Sequence, residues 1–316
     1  MKITILDHNT ITRGDLSLAP IEALGDVRIF DALPQSEVAR AIGDSDAVVV
    51  NKARITAEIM DACPHLRFIG LFATGYNNID TTAAKARGIV VCNVPGYSTD
   101  SVAQHVFAMI LHFASYADDY AASVASGTWV SAKTFSYFAY PTSELRDKTL
   151  GILGLGTIGR AVAGIARAFG MRVIATAHRP TVCEGVETVP LDTLLTESDY
   201  LTLHCPLTEE TRHLIDRAAL AKMKPDAVLI NTARGAVVDE EALVHALNTG
   251  KLRGAGIDVL DEEPMRAGHP YLTAKNCYVT PHVAWATIEA RTRLVGIVAD
   301  NLRAFEAGAP IHVVNP

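Results

Sequence analysis

The sequence predicts an α/β protein of two units, each built on a parallel sheet. Three observations carry that expectation. Short β-rich runs alternate with helical patterns along almost all of the 316 residues, and such alternation implies parallel strands joined by right-handed crossovers. The alternation breaks once, after Pro95-Gly96, and restarts at Thr149. The length corresponds to about two domains at roughly 150 residues each.

In the first unit, residues 3–7, 27–30, 47–51, 68–71 and 89–92 read as buried strands, with helical patterns at 37–42, 57–62 and 82–87 between them. Residues 100–120 then carry one long helical pattern without Pro or Gly, with Val102, Val106, Met109, Ile110 and Phe113 at helical spacing. Residues 127–141 are rich in aromatics, Ser and Thr and show no period. They are either a surface loop or a segment that buries its aromatics against a second subunit. From Thr149 onward, strands are expected at 150–153, 172–176, 200–203, 227–231, 254–258 and 277–279. Helices at 158–169, 191–195, 217–222 and 240–248 separate most of them, and a last helical pattern covers 289–307. No sequence repeat relates the two units.

Composition narrows the classes of function. With 49% hydrophobic and 20% charged residues, the chain is an ordinary globular one, neither disordered nor of low complexity. Its net charge of −7, from 28 basic and 35 acidic residues with no basic run, argues against a nucleic-acid groove or an anionic-membrane surface. It leaves room for a small anion in a locally positive pocket. The cysteines at 63, 92, 183, 205 and 277 form no CxxC pair, which argues against a disulfide framework or structural zinc and for a reducing compartment. No His/Cys/Asp cluster has metal-ligand spacing, so no metal is expected. Asp7 breaks the opening apolar run too early for a signal peptide. No stretch approaches the roughly 20 apolar residues of a membrane span. A cytoplasmic protein with no membrane partner is expected.

One motif carries chemistry by its position. Gly154-Leu155-Gly156-Thr157-Ile158-Gly159 follows an expected strand and opens an expected helix. Gly154 permits a tight turn, Gly156 lets backbone approach a pyrophosphate, and Gly159 allows close helix–strand packing. The helix start offers free N–H groups and a positive dipole end to phosphate. This predicts a Rossmann-type dinucleotide site in the second unit. The first unit has no such loop after its first strand. The strand ending at Thr176 is followed by Ala177-His178-Arg179-Pro180, with no acid to bond a ribose 2′-hydroxyl. His178 and Arg179 would suit a 2′-phosphate, so NADP(H) is expected to serve at least as well as NAD(H).

Further segments share one resemblance: Ala73-Thr74-Gly75-Tyr76-Asn77-Asn78-Ile79-Asp80, Asn93-Val94-Pro95-Gly96-Tyr97-Ser98, His204-Cys205-Pro206-Leu207-Thr208, Ile230-Asn231-Thr232-Ala233-Arg234-Gly235, the run from Gly256 to Pro264, and Thr280-Pro281-His282-Val283-Ala284-Trp285. With the glycine loop, and in this order over nearly the whole chain, the sequence resembles the D-isomer-specific 2-hydroxyacid dehydrogenases. Within them it is most similar to the glycerate dehydrogenase / hydroxypyruvate reductase branch.

The resemblance implies a catalytic set of Arg234, Glu263 and His282. Arg234 offers a planar, permanently charged fork to a 2-keto acid. His282 would supply the proton to the developing alkoxide. Glu263 would hold the other imidazole nitrogen, and because a nearby carboxylate favours the imidazolium, reduction is expected to prefer lower pH. Taken singly, such an Arg, Glu or His is more often a surface group, a solvated acid or a cap. Together, in family order downstream of a dinucleotide loop, they read as functional.

The resemblance also implies that Thr74, Gly75 and Tyr76 donate backbone N–H groups to the substrate carboxylate, a glycine turn without a ligand being the alternative. Lys52, after the strand ending at Asn51, lies in a loop that would face the same cleft, an exposed lysine being its alternative, and Trp285 is placed on the substrate side as well. Val102, His204, Cys205, Pro206, Thr232 and Ala233 would border the cofactor, and Asp258 would meet the nicotinamide carboxamide, a buried capping role being its alternative. Cys205 reads as a packing thiol, since the chemistry needs no thiol.

The expected architecture is a discontinuous substrate-binding domain, residues 1–98 plus 287–316 and flavodoxin-like, and an NAD(P)-binding Rossmann domain, residues 99–286. The resemblance implies a cleft between them that closes on substrate, and a homodimer. The expected reaction is NAD(P)H-dependent reduction of hydroxypyruvate to D-glycerate and of glyoxylate to glycolate. Formate dehydrogenase is disfavoured because its pattern pairs the His with Gln. A 3-phosphoglycerate dehydrogenase-like activity stays open, although no regulatory domain is expected beyond Pro316. A non-catalytic NAD(P)-sensing module on the same fold is the remaining alternative.

Overall fold

A computed structural model describes residues 1–178 and 181–316. The chain divides into two compact units, Met1–Ser98 with Ala286–Pro316, and Thr99–Trp285.

The first unit opens with β1 (Lys2–Ile5), α1 (Ala19–Glu22), β2 (Asp26–Ile29), α2 (Val38–Ile42), β3 (Ala47–Val50), α3 (Ala57–Ala62), β4 (Phe68–Leu71), α4 (Thr81–Ala86) and β5 (Val90–Cys92). The strands are all parallel, in the order β2-β1-β3-β4-β5. That is the 2-1-3-4-5 order of flavodoxin-like sheets. All four residues of β3 and of β4 are buried, as a parallel sheet covered on both faces requires. Burial is not uniform, however. The sequence reads residues 27–30 as a buried strand, but β2 lies at the sheet edge and its Ile29 is exposed.

The second unit begins with α5 (Thr99–Ser115) and α6 (Ala117–Ala125). The single helix expected over 100–120 is therefore two. Tyr116 between them is left-handed, with φ 50°. Tertiary contacts account for the break: the Ser143 N–H takes the Ala114 carbonyl, and the Tyr116 ring stacks on Tyr140 at 5.6 Å. Residues 127–141 form no regular element. Tyr137 and Tyr140 turn back onto Tyr120, whereas Val130, Phe135 and Phe138 are more than 90% exposed.

There follow β6 (Thr149–Leu153), α7 (Thr157–Ala168), β7 (Arg172–Thr176), β8 (Glu187–Thr188), α8 (Leu191–Glu197), β9 (Tyr200–Leu203), α9 (Arg217–Lys222), β10 (Val228–Asn231), α10 (Glu240–Asn248), β11 (Gly254–Ile257) and β12 (Cys277–Val279). Their parallel sheet runs β12-β11-β10-β9-β6-β7-β8. Counted from β6, this is the 3-2-1-4-5-6 Rossmann order with a seventh strand added at one edge. The order reverses between β6 and β9, and at such a switch point the crevice beyond the strand ends receives ligands. The sequence gives no sign of β8, whose two residues are both exposed. Two cores cover the sheet: α5 and α7 on one face with Val106, Ile110, Val162 and Ala166, and α8 to α10 on the other with Leu194, Leu220 and Leu243.

The chain closes with α11 (Ile288–Glu306), which packs on α1 and β4 of the first unit. Its Phe305 ring lies 5.0 Å from Phe68. No helix of the described residues is long and apolar enough to cross a membrane.

Candidate active site

The glycine loop joins β6 to α7, at the switch point. Gly154 has φ +100°, and a Cβ there would meet the backbone of His204 and Cys205 at 2.7 Å. Only glycine fits, and the 204–205 segment closes directly over the turn. A Cβ at Gly159 would strike the Gly154 carbonyl oxygen at 2.3 Å, so this glycine lets the first turn of α7 sit on the loop. At Gly156 a Cβ would meet nothing within 4 Å. The space beside Gly156 is open, and no side chain caps the start of α7.

Two buried polar atoms, just past the ends of β9 and β10, are orphaned. His204 Nε2 and Thr232 Oγ1 have no hydrogen-bond partner among the described residues, an arrangement that costs free energy unless a ligand satisfies it. Burial also pushes the His204 imidazole down to about 4, so His204 stays neutral there. An open cradle at a helix start and two unsatisfied polar atoms fit a dinucleotide. Leu155 and Val102 are buried in the same core cluster, and Thr157 and Ile158 form the first turn of α7. Pro206 is exposed and Ala233 half-buried. Burial raises the Cys205 thiol, which leaves it protonated and unreactive. His178 is exposed, 3.9 Å from the Glu210 carboxylate. Arg179 lies outside the described residues.

Arg234 stands just beyond β10. Asn231 at the strand end folds that loop: its amide donates to the Arg234 carbonyl at 2.9 Å and its oxygen accepts the Ala233 N–H at 3.0 Å. The Arg234 side chain is exposed, and Nη1 donates to the Ala233 carbonyl at 2.7 Å. Among the described residues no carboxylate pairs with it, so its charge is available to an anion. The next residue, Gly235, has backbone of the 260–261 loop so close that a Cβ would lie 1.8 Å from the Leu260 carbonyl carbon. This close approach presses the Arg234 loop against the loop that carries Glu263.

Glu263 bridges two groups. Its Oε1 accepts the Leu260 N–H at 3.0 Å, and its Oε2 lies 2.7 Å from His282 Nδ1. A carboxylate only accepts, so the Nδ1 carries its proton toward Glu263. That leaves Nε2, on the far side of the half-buried ring, to exchange a proton with a ligand. Asp258, at the end of β11, is fully buried. It accepts the Thr280 hydroxyl at 2.5 Å and the N–H groups of Val283 and Ala284 at 2.9 Å each. In this arrangement both of its oxygens are engaged by the chain itself. Trp285 Nε1 donates to the His282 carbonyl at 2.9 Å. Sequence reading did not single out Thr280 or Leu260. The Thr at two residues before the His was a visible signal, whereas a backbone N–H leaves none.

In the first unit, Thr74, Gly75 and Tyr76 lie in the loop after β4. The Thr74 hydroxyl donates to the Val94 carbonyl at 2.7 Å, and no partner takes the three N–H groups among the described residues. Lys52 is exposed after β3. Sequence reading also missed Asp7, a buried acid with φ 51° whose carboxylate gathers the N–H groups of Asn51, Lys52 and Ala53 at 2.7–2.8 Å.

The class follows from where these groups stand. A phosphate cradle at the switch point, with an acid-held imidazole and an unpaired guanidinium at neighbouring strand ends, makes the second unit that of a nicotinamide-dependent oxidoreductase. The family described as "D-isomer specific 2-hydroxyacid dehydrogenase, NAD binding domain" matches residues 107–284, and the chain belongs to it. A hydroxypyruvate reductase of Blautia hydrogenotrophica is 41% identical, with all of both chains covered. A glycerate dehydrogenase of Methylorubrum extorquens is 41% identical over 88% of each chain. Among solved structures, an NADPH-dependent glyoxylate/hydroxypyruvate reductase from Sinorhizobium meliloti, in complex with NADP and malonate, superposes with a TM-score of 0.84. It is 30% identical and the match covers 99% of this chain and 96% of that one. The similarity thus includes the glycerate dehydrogenase / hydroxypyruvate reductase branch.

The cradle gives a clean test. Gly156→Val adds a side chain where the fold has open space, so thermal stability should stay near wild type. NADH affinity, followed by nicotinamide fluorescence, should fall at least about tenfold, roughly 1.4 kcal/mol. Unchanged affinity would place the phosphates elsewhere.

Proposed function

We propose that this chain reduces hydroxypyruvate to D-glycerate, and glyoxylate to glycolate, with NAD(P)H as reductant. The observation that carries the reading is the 2.7 Å contact of Glu263 with His282 Nδ1, together with an exposed Arg234 guanidinium that no carboxylate of the described residues neutralises. The names and NADP-bound neighbour of the relatives support the substrate class and the cofactor.

Each group has a task that follows from its chemistry. A bound reduced nicotinamide supplies the hydride. Arg234 pairs with the carboxylate and carbonyl oxygens of the 2-keto acid, fixing the carbonyl and drawing negative charge toward its oxygen. His282 gives the proton on Nε2 to that oxygen as it becomes an alkoxide, and recovers one from solvent afterwards. Glu263 keeps the ring oriented by accepting the Nδ1 proton. In the oxidative direction the same imidazole, deprotonated at Nε2, takes the hydroxyl proton. We assign substrate binding also to Lys52, to Trp285 and to the N–H groups of Thr74, Gly75 and Tyr76, whose lack of partners suits a carboxylate. Asp258 is assigned to the nicotinamide side, with Val102.

NADP(H) is assigned as at least as good a cofactor as NAD(H), supported by the His178-Arg179 pair after β7 and by the absence of an acid there. A cytoplasmic location is assigned on the five free cysteines, which suit a reducing compartment. A homodimer is assigned on the exposed Val130, Phe135 and Phe138 of one segment, apolar side chains that a symmetric partner would cover.

Two measurements check these assignments. Initial rates with NADH and NADPH against hydroxypyruvate, glyoxylate, pyruvate and a bulky aromatic 2-keto acid should be highest for the first two acids. NADPH should serve at least as well as NADH, and Arg179→Ala should weaken NADPH selectively. Turnover confined to the aromatic acid, or a strong NADH preference, contradicts the corresponding assignment. Light scattering should give twice the 33.8 kDa chain mass, and Phe135→Asp with Phe138→Asp should shift it toward the monomer. A monomeric wild type rejects the dimer.

A further inference from the structure

His282 is one of few non-glycine residues with a left-handed backbone, φ 53°. A side-chain-bearing residue holds that conformation only when its surroundings over-determine it. The surroundings here are specific. The two amides that follow His282 are both pinned by one buried carboxylate, Val283 N–H on Asp258 Oδ1 and Ala284 N–H on Asp258 Oδ2. The Ala284 carbonyl is in turn held by the Ser101 hydroxyl at 2.5 Å. The imidazole that proton delivery assigns to His282 is therefore aimed by Asp258, and the orientation of Asp258 matters.

That orientation is set from α5. Asp258 Oδ1 accepts the Thr280 hydroxyl at 2.5 Å, which commits the hydroxyl proton to the carboxylate. Thr280 Oγ1 then has only lone pairs to offer His105 Nε2, which lies 3.0 Å away. The bond direction is thereby fixed: His105 carries a proton on Nε2 and donates it. His105 is itself too far from Asp258 for a hydrogen bond, at 3.6 Å, so the hydroxyl is the link.

We infer that His105 is a positioning residue for the proton donor: through the Thr280 hydroxyl it holds the Asp258 carboxylate, which pins the two amides that keep His282 left-handed. The inference rests on the reading that His282 delivers the proton. It predicts that a side chain three hydrogen bonds removed from the imidazole, and belonging to another element, governs turnover.

The test compares His105→Leu, which removes the donor, with His105→Gln, which restores an N–H donor at a similar reach. Steady-state hydroxypyruvate reduction and fluorescence titration of NADH are read for each, with thermal melting as a control. His105→Leu should lower kcat roughly tenfold to a hundredfold, as small misplacements of a catalytic group do. NADH affinity should fall less than kcat, and His105→Gln should recover most of the loss. Thr280→Val should repeat the effect and Thr280→Ser should not. The double variant His105→Leu/Thr280→Val should be no worse than either alone, because both break one chain. If His105→Leu does not fold, the Thr280→Val and Thr280→Ser pair decides. Unchanged kcat in His105→Leu, equal losses in His105→Leu and His105→Gln, or equal values for the two Thr280 variants overturn the inference. A loss of NADH affinity as large as the loss of kcat also overturns it, since Asp258 would then serve cofactor binding alone. A wild-type protein that turns over no 2-keto acid overturns the functional reading instead.

Discussion

The contact between Glu263 and His282 is the interaction on which the chemistry proposed for the second unit depends. A charge-assisted hydrogen bond of 2.7 Å fixes which imidazole nitrogen faces the acid, and so which one is left for the proton transfer we propose. It forms only because three chain segments converge. The Leu260 amide takes one oxygen of Glu263 and thereby turns the other toward the ring. Gly235 allows the Arg234 loop to lie against the Glu263 loop with no side chain between them. Asp258 holds the amides after His282. Each constraint originates at the carboxyl end of a parallel strand, where loop backbone is free of the ladder and side chains converge.

The cofactor half follows a different logic. There the chain contributes space and unsatisfied polarity rather than charge. Gly154 and Gly159 are fixed by close backbone approach, whereas Gly156 faces an opening. The orphaned His204 and Thr232 atoms are polar groups that a bound dinucleotide would satisfy. The overall charge of −7 argues against a polyanion partner but does not describe this local field. A few cations, Arg234 foremost, lie within an acidic protein, and one exposed guanidinium without an acidic partner counts for more at the site than the net balance.

Much of the fold was legible because parallel strands buried on both faces are continuous apolar runs, as at Ala47–Val50 and Phe68–Leu71. The glycine spacing and the Arg, Glu and His were legible because the chemistry constrains residue type. Edges were not: β8 is two exposed residues, and β2 reads as buried although it lies at the rim. The break at Tyr116 was invisible because no local residue imposes it; the partners that hold it, Ser143 and Tyr140, lie more than twenty residues away. His105 escaped for the same reason. An apolar helical pattern says nothing of which polar side chain on it meets a loop from another strand.

In the proposed reaction the imidazole held by Glu263 moves the proton while other residues bind the cofactor. Turnover of hydroxypyruvate by His282→Ala, measured beside its NADH affinity, tests this most directly. The variant's kcat should be lower by at least about a hundredfold, the contribution expected of general acid catalysis, with NADH affinity nearly unchanged. A kcat close to wild type, or a loss explained wholly by weaker NADH binding, would contradict it.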